Sequence, residues 1–134
     1  RSLAPAFIFT TSLSPVLCAG ALASIRYVKE HPNLRDQIMD RATTLKDKFK
    51  SAGIPVLDNP SHIVPVMIGD AVKCKQISDD LLYKDGIYVQ PINYPTVDVG
   101  TERLRFTPTP NHTNAMMDEL VDKLLVVLER HKII

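Results

Sequence analysis

The chain has almost no net charge to spend on an electrostatic partner. Its 16 Lys and Arg residues against 15 Asp and Glu leave a formal charge of +1 over 134 residues. That balance excludes the basic footprint of a nucleic-acid binder and gives no attraction to an anionic membrane surface. Long apolar runs are missing too, and none approaches the ~20 residues needed to span a bilayer. Cysteine is scarce: Cys18 and Cys74 stand far apart without C-x-x-C spacing. They read as two reduced thiols in a core or interface, the usual state in a reducing compartment. There is no G-x-G-x-x-G, no P-loop and no paired Cys/His spacing for a metal. His31, His62, His112 and His131 are scattered along the chain, which suits surface or capping roles better than ligation.

What is present is an ordinary globular composition, 45% hydrophobic and 23% charged, at a length that buries roughly two thirds of the chain's surface in one domain. The opening Arg1-Ser2-Leu3-Ala4-Pro5 has neither an initiator Met nor the charged-then-apolar pattern of a signal peptide. It reads as the start of a fragment.

The apolar periodicity alternates between two types. Pro15 suits the first turn of a helix, and Leu13, Leu17, Ala21, Ile25 and Val28 follow at helical spacing up to His31-Pro32. Asn33 is placed to cap a second helix carrying Leu34, Ile38, Ala42, Leu45 and Phe49, closed by Gly53. Residues 54–57 and 63–68 are β-type runs around the turn Asp58-Asn59-Pro60-Ser61, with Pro65 pointing to an edge strand or a bulge. Asp70 caps a helix through about Lys84, with Val72, Ile77, Leu81 and Leu82 expected inward and Gly86 as its stop. Ile87-Tyr88-Val89 predicts a strand, residues 91–101 a loop, and Arg103 to Thr107 a strand of alternating polarity. Thr113 caps a last helix with Met117, Leu120, Val121, Leu124 and Leu128. The expected fold class is α+β, a small, mostly antiparallel sheet with helices packed on one face. Residues 1–134 read as a single domain, 1–30 forming an interface segment and helix and 31–134 the α+β core.

Two places suggest chemistry. Thr10-Thr11-Ser12 precede a helix, where hydroxyls, free backbone N–H groups and the helix dipole converge on an anion such as a phosphate. The same hydroxyls would equally serve as helix caps with no ligand. The second place is Asn93-Tyr94-Pro95-Thr96 with the strand that follows. Arg103 and Arg105 share one face of that strand, and an Arg held on a strand can grip a carboxylate with two parallel hydrogen bonds. A surface ion pair with Glu102 would explain the same pattern.

Four stretches, in order and with matching gaps, resemble the 5-aminolevulinate synthases. They are residues 7–13 (Phe7 to Leu13), 60–66 (Pro60 to Val66), 87–97 (Ile87 to Val97) and 100–110 (Gly100 to Pro110). The resemblance covers essentially the whole chain, and Ile92-Asn93-Tyr94-Pro95-Thr96-Val97 separates these enzymes from other α-oxoamine synthases. It implies the C-terminal small domain of a homodimeric fold-type I enzyme that uses pyridoxal 5'-phosphate. Such an enzyme condenses glycine with succinyl-CoA to 5-aminolevulinate, CoA and CO2, the first step of haem synthesis. By resemblance, Thr10 and Thr11 reach the cofactor phosphate of the neighbouring subunit, Arg105 receives the amino-acid carboxylate, and Thr96 contacts the succinyl carboxylate. Arg103 is not expected to take part. The lysine, aspartate and histidine that bind the cofactor in this family match nothing here, so the chain alone is expected to be inert. The resemblance places the parent enzyme in the bacterial cytoplasm, or alternatively in the mitochondrial matrix.

Two departures stand out. Ser14 replaces a second proline before Pro15, which should loosen the helix entrance. Asp98-Val99 replace Pro-Arg, which removes a positive charge from the loop. The competing readings are another α-oxoamine synthase, of the 8-amino-7-oxononanoate synthase or 2-amino-3-ketobutyrate CoA ligase type, and a non-catalytic stand-alone binding module.

Overall fold

A computed structural model describes residues 13–134. The described residues divide into two compact units, one ending at Leu34 and one covering Arg35–Ile134. In the first lies helix α1 (Pro15–Glu30), with proline in its first turn. The Ser14 hydroxyl accepts the Leu17 N–H at 3.3 Å and so caps the helix. Serine at this position therefore tightens the entrance rather than loosening it, because it satisfies a donor that a proline could not. His31 closes α1, its N–H donating to the Tyr27 carbonyl at 3.0 Å, with its ring stacked on Tyr27.

The second unit is built around helix α2 (Asn33–Ser51), strand β1 (Val64–Met67), helix α3 (Ala71–Asp85), strands β2 (Gln90–Ile92) and β3 (Arg103–Phe106), and helix α4 (Asn114–Arg130). Asn33 is the first helical residue of α2, one position inside the expected cap. The three strands form an antiparallel sheet in the order β1-β3-β2. Its inward residues Val64, Val66, Leu104 and Phe106 join Leu45 and Phe49 of α2, Ile77 and Leu81 of α3, and Leu124 and Leu128 of α4 in one core. Phe49 meets Phe106 edge to face at 5.3 Å. This is the α+β layer that the periodicity predicts, with the helices' apolar stripes on the sheet's inner face.

The differences from expectation have local causes. Residues 54–57 make only one bridge, Val56 to Val66, instead of a full strand. Pro55 has no N–H to give a ladder, and in the turn that follows the Lys46 ammonium donates to the carbonyls of Asn59 (2.8 Å) and Ser61 (2.6 Å). Pro65 does sit on an edge strand of the sheet. The strand expected at Ile87–Val89 begins three residues later. Ile87 N–H is spent on the Leu81 carbonyl at the end of α3, and the Val89 carbonyl accepts the Ser78 hydroxyl at 2.7 Å. In α3 the inward stripe is Cys74, Ile77, Ser78 and Leu81. Val72 and Leu82 were expected inward and are instead exposed; Val72 lies off that stripe, and Leu82, eight residues after Cys74, sits at its margin. Asp70 caps α3 through Lys73 N–H at 2.8 Å, and Gly86 ends it with φ 70°.

Among the described residues, no helix is long and apolar enough to cross a membrane.

Candidate functional site

Strand β3 is the middle of the sheet, and its alternation divides its side chains cleanly. Leu104 and Phe106 are buried, while Arg103 and Arg105 lie on the opposite face. Arg105 is flanked on both sides, opposite Pro65 of β1 and Gln90 of β2. Its backbone is thus held by two ladders, which makes it a stiff mount for a guanidinium. Among the described residues, the two arginines differ in what their side chains do. Arg103 Nε donates to the Thr101 carbonyl at 2.9 Å and is tied back to its own strand. The Arg105 side chain makes no hydrogen bond or ion pair within this set, so all five of its donors remain for a ligand.

Arg105 also lies on the wall of a cavity of about 570 Å³, together with Tyr88, Gln90, Phe106, His112 and Met116. Three of the polar groups on that wall are already engaged. Tyr88 hydroxyl donates to Gln90 Oε1 at 2.5 Å, Gln90 Nε2 to the Pro91 carbonyl at 3.0 Å, and His112 Nδ1 accepts Thr109 N–H at 2.9 Å. Asp85 and Glu119 also line the cavity, but among the described residues neither is paired with Arg105, and its guanidinium remains a cationic fork on a partly apolar wall. That arrangement suits a small carboxylate.

Thr96 occupies the turn after β2. Its N–H donates to the Asn93 carbonyl at 3.0 Å and its side chain is exposed. The peptide bond between Tyr94 and Pro95 is cis. Ile92, the last residue of β2, pairs with Arg103, so Thr96 belongs to the Arg103 end of the sheet and Arg105 lies two residues further along. No hydrogen bond joins Thr96 to Arg105. The other two expected residues, Thr10 and Thr11, lie outside the described residues.

Two features of the loop escaped the sequence reading. Glu102 is not a surface partner of Arg103; it is 2% exposed, and its Oε2 accepts Gly100 N–H at 2.9 Å. The signal was available, since Glu102 shares the inward parity of Leu104 and Phe106. Asn93 donates through Nδ2 to the Ala71 carbonyl at 3.3 Å, while its Oδ1 is buried without a partner.

Other candidate chemistry falls away. Burial pushes the Cys74 thiol up to about 11, against the lowering effect of a backbone hydrogen bond from Ile92. That makes Cys74 an inert core thiol, and Cys18 is also free. His31 and His112 engage local backbone groups and His131 reaches Asp80 at 3.1 Å. Among the described residues, no group of three or more His, Cys, Asp or Glu side chains could hold a metal ion.

The aminotransferase class I and II family profile matches residues 1–124. A 5-aminolevulinate synthase of Rhizobium meliloti is 59% identical over 92% of this chain, and 5-aminolevulinate synthase 2 of Cereibacter sphaeroides is 56% identical over 95%. The mitochondrial 5-aminolevulinate synthase of Kluyveromyces lactis is 55% identical over 92%. The chain spans only 31% of the length of the two bacterial relatives and 22% of the fungal one. Among solved structures, serine palmitoyltransferase from S. paucimobilis with bound PLP superposes with a TM-score of 0.83 at 27% identity, over 94% of this chain and 32% of that one. The fold also matches 8-amino-7-oxononanoate synthase from Francisella tularensis, with a TM-score of 0.73 at 18% identity, over 92% of this chain and 36% of that one.

Proposed function

Because the chain belongs to the aminotransferase class I and II family, we propose that it is the C-terminal small domain of a 5-aminolevulinate synthase. The parent enzyme joins glycine to the succinyl group of succinyl-CoA and releases CoA and CO2, leaving 5-aminolevulinate. The likeness to synthases of bacteria and of fungal mitochondria carries this reading. Its physical counterpart in the structure is the unpaired Arg105 guanidinium on the central strand.

Each residue has a defined task in this proposal. Arg105 receives the glycine carboxylate through two parallel N–H donors, which fixes the orientation of the α-carbon as well as its charge. The Thr96 hydroxyl donates to the far carboxylate of the succinyl group. Thr10 and Thr11 donate to the phosphate of the cofactor held by the neighbouring subunit of a homodimer. Pyridoxal 5'-phosphate, when bound, supplies an electron sink for the glycine α-carbon.

The covalent anchor of that cofactor does not fit the lysines whose contacts are described. Lys48 pairs with Asp118, Lys50 with Asp58, Lys75 with Asp79, Lys84 with Asp80 and Lys123 with Glu119. Hydrogen bonds donated to their carboxylate partners raise Lys50 and Lys123 above the ordinary lysine range. A lysine that attacks a carbonyl must give up its proton, and carboxylate neighbours oppose that. In this proposal the anchoring lysine lies in the part of the parent enzyme that this chain does not span. The parent enzyme acts in the cytoplasm of an α-proteobacterium or, alternatively, in the mitochondrial matrix.

The test is direct. The full-length protein should form 5-aminolevulinate from glycine and succinyl-CoA, and the 134-residue chain alone should not. A full-length protein that prefers an acyl-CoA without a terminal carboxylate would instead assign it to another α-oxoamine synthase.

A further inference from the structure

The buried polar side chains of the described core are Ser78 and Glu102. Ser78 is accounted for by its bond to the Val89 carbonyl. Glu102 is less easily explained, because its inward position beside Leu104 and Phe106 would hold an apolar side chain at lower desolvation cost. Its bonds all serve one loop. Glu102 Oε2 accepts Gly100 N–H at 2.9 Å. The Glu102 carbonyl accepts Ile68 N–H at 2.9 Å and Gly69 N–H at 3.0 Å, which ties this foot of the loop to the end of β1. Next to it, the Thr101 hydroxyl donates to the Asp98 carbonyl at 2.7 Å. At the other foot, Asn93 holds the Ala71 carbonyl through its side chain and Thr96 N–H through its own carbonyl. The backbone on both sides of Thr96 is thus fastened, while the Thr96 side chain makes no hydrogen bond among the described residues.

We propose that Glu102 is a positioning residue for the acyl substrate. By holding the Gly100 amide from inside the core, it sets where the loop presents the Thr96 hydroxyl, and so sets the preference for an acyl-CoA that ends in a carboxylate. This rests on the proposed function. A hydroxyl misplaced by about 1 Å loses most of a hydrogen bond's value in a fitted site, whereas Arg105, mounted on the ladder of β3, does not depend on the loop.

The experiment uses the full-length enzyme and compares succinyl-CoA with butyryl-CoA, which has the same four-carbon acyl length and no terminal carboxylate. Glu102→Leu should lower the succinyl-to-butyryl ratio of kcat/KM at least tenfold, through KM for succinyl-CoA, with KM for glycine within twofold of wild type. Glu102→Gln keeps an oxygen that accepts Gly100 N–H and should hold the ratio within threefold. Thr101→Val removes only the bond to Asp98 and should lower the ratio by about twofold to fivefold; it decides the matter if Glu102→Leu does not fold. Equal losses with both acyl-CoAs in Glu102→Leu or, where that variant does not fold, an unchanged ratio in Thr101→Val would make Glu102 purely structural and overturn the inference. Thr96→Ala separates the two levels. If it leaves the ratio unchanged, the assignment of Thr96 fails and the inference falls with it. If it lowers the ratio while the Glu102→Leu and Thr101→Val variants do not, only the inference fails.

Discussion

Replacing Arg105 by lysine in the full-length enzyme tests the carboxylate site most sharply. The substitution keeps the positive charge and most of the aliphatic stem, so it isolates the shape of the fork. Arg105 sits on the central strand between Pro65 and Gln90, and its backbone should not move. A guanidinium gives a carboxylate two parallel charged hydrogen bonds, and an ammonium on a flexible stem gives one well-formed bond. Losing one charged bond costs about 1.5–3 kcal/mol. At about 1.4 kcal/mol per factor of ten, KM for glycine should rise roughly 10- to 150-fold. KM for succinyl-CoA should change much less, because its carboxylate is assigned to Thr96. Arg103→Lys is the matched control. It lies on the same face about 7 Å away, given the strand rise, but its Nε is already spent on the Thr101 carbonyl, so its kinetics should stay within about threefold of wild type. Steady-state kinetics with each substrate varied in turn measure both effects. A damaging Arg103→Lys beside a mild Arg105→Lys would show that the wrong arginine has been assigned and refute the reasoning.

Three further outcomes concern stability. The Asp80 carboxyl is held well below the usual carboxylate range by hydrogen bonds from Lys84, His131 and Arg130, and a depressed folded pKa gives stability that is present above the unfolded value near 4 and lost as pH falls through the folded one. Asp80→Asn should therefore lower the urea midpoint at neutral pH and remove that acid-limb component, so the difference between wild type and variant should begin to shrink below about pH 4 and close only as pH falls through the depressed folded value; a difference that stays constant with pH would show that charge is not the cause. Ser78→Ala leaves the Val89 carbonyl without its 2.7 Å donor inside the core and should cost about 1–3 kcal/mol in urea unfolding. Gly86→Ala meets no atom within 4 Å and has φ +70°, so its cost of about 1–2 kcal/mol is backbone strain alone, and Gly86→Asn, which tolerates that region better, should lose less in the same assay.

Periodicity and punctuation were enough to place the helices, because a 3.6-residue apolar stripe and its caps are local properties of the chain. Asp70 and Thr113 cap where a side-chain oxygen meets a run of helical residues, and Gly86 stops α3 where a left-handed turn is needed. The two faces of β3 were equally legible, since strand alternation alone separates Leu104 and Phe106 from Arg103 and Arg105. What the chain's local pattern could not decide was competition for hydrogen bonds between segments distant in sequence. Residues 54–57 carry β-type side chains, yet they make one bridge, because Leu57 N–H meets the Pro65 carbonyl and Met67 N–H the Pro55 carbonyl while neither proline can return a bond. Residues 87–89 look like a strand, but Ser78 and the end of α3 claimed their backbone groups first. The same competition governs the candidate site. Arg103 and Arg105 are equivalent in sequence pattern, and only the folded chain shows one tied to Thr101 and the other with no partner among the described residues. Glu102 bore the sign of a surface charge, although its parity with Leu104 and Phe106 already pointed it inward; only the fold shows the Gly100 amide that its carboxylate accepts there. Local periodicity determined which elements form and which faces they present; three-dimensional contacts, by using up some donors and acceptors and leaving others, decided which side chains remain available for chemistry.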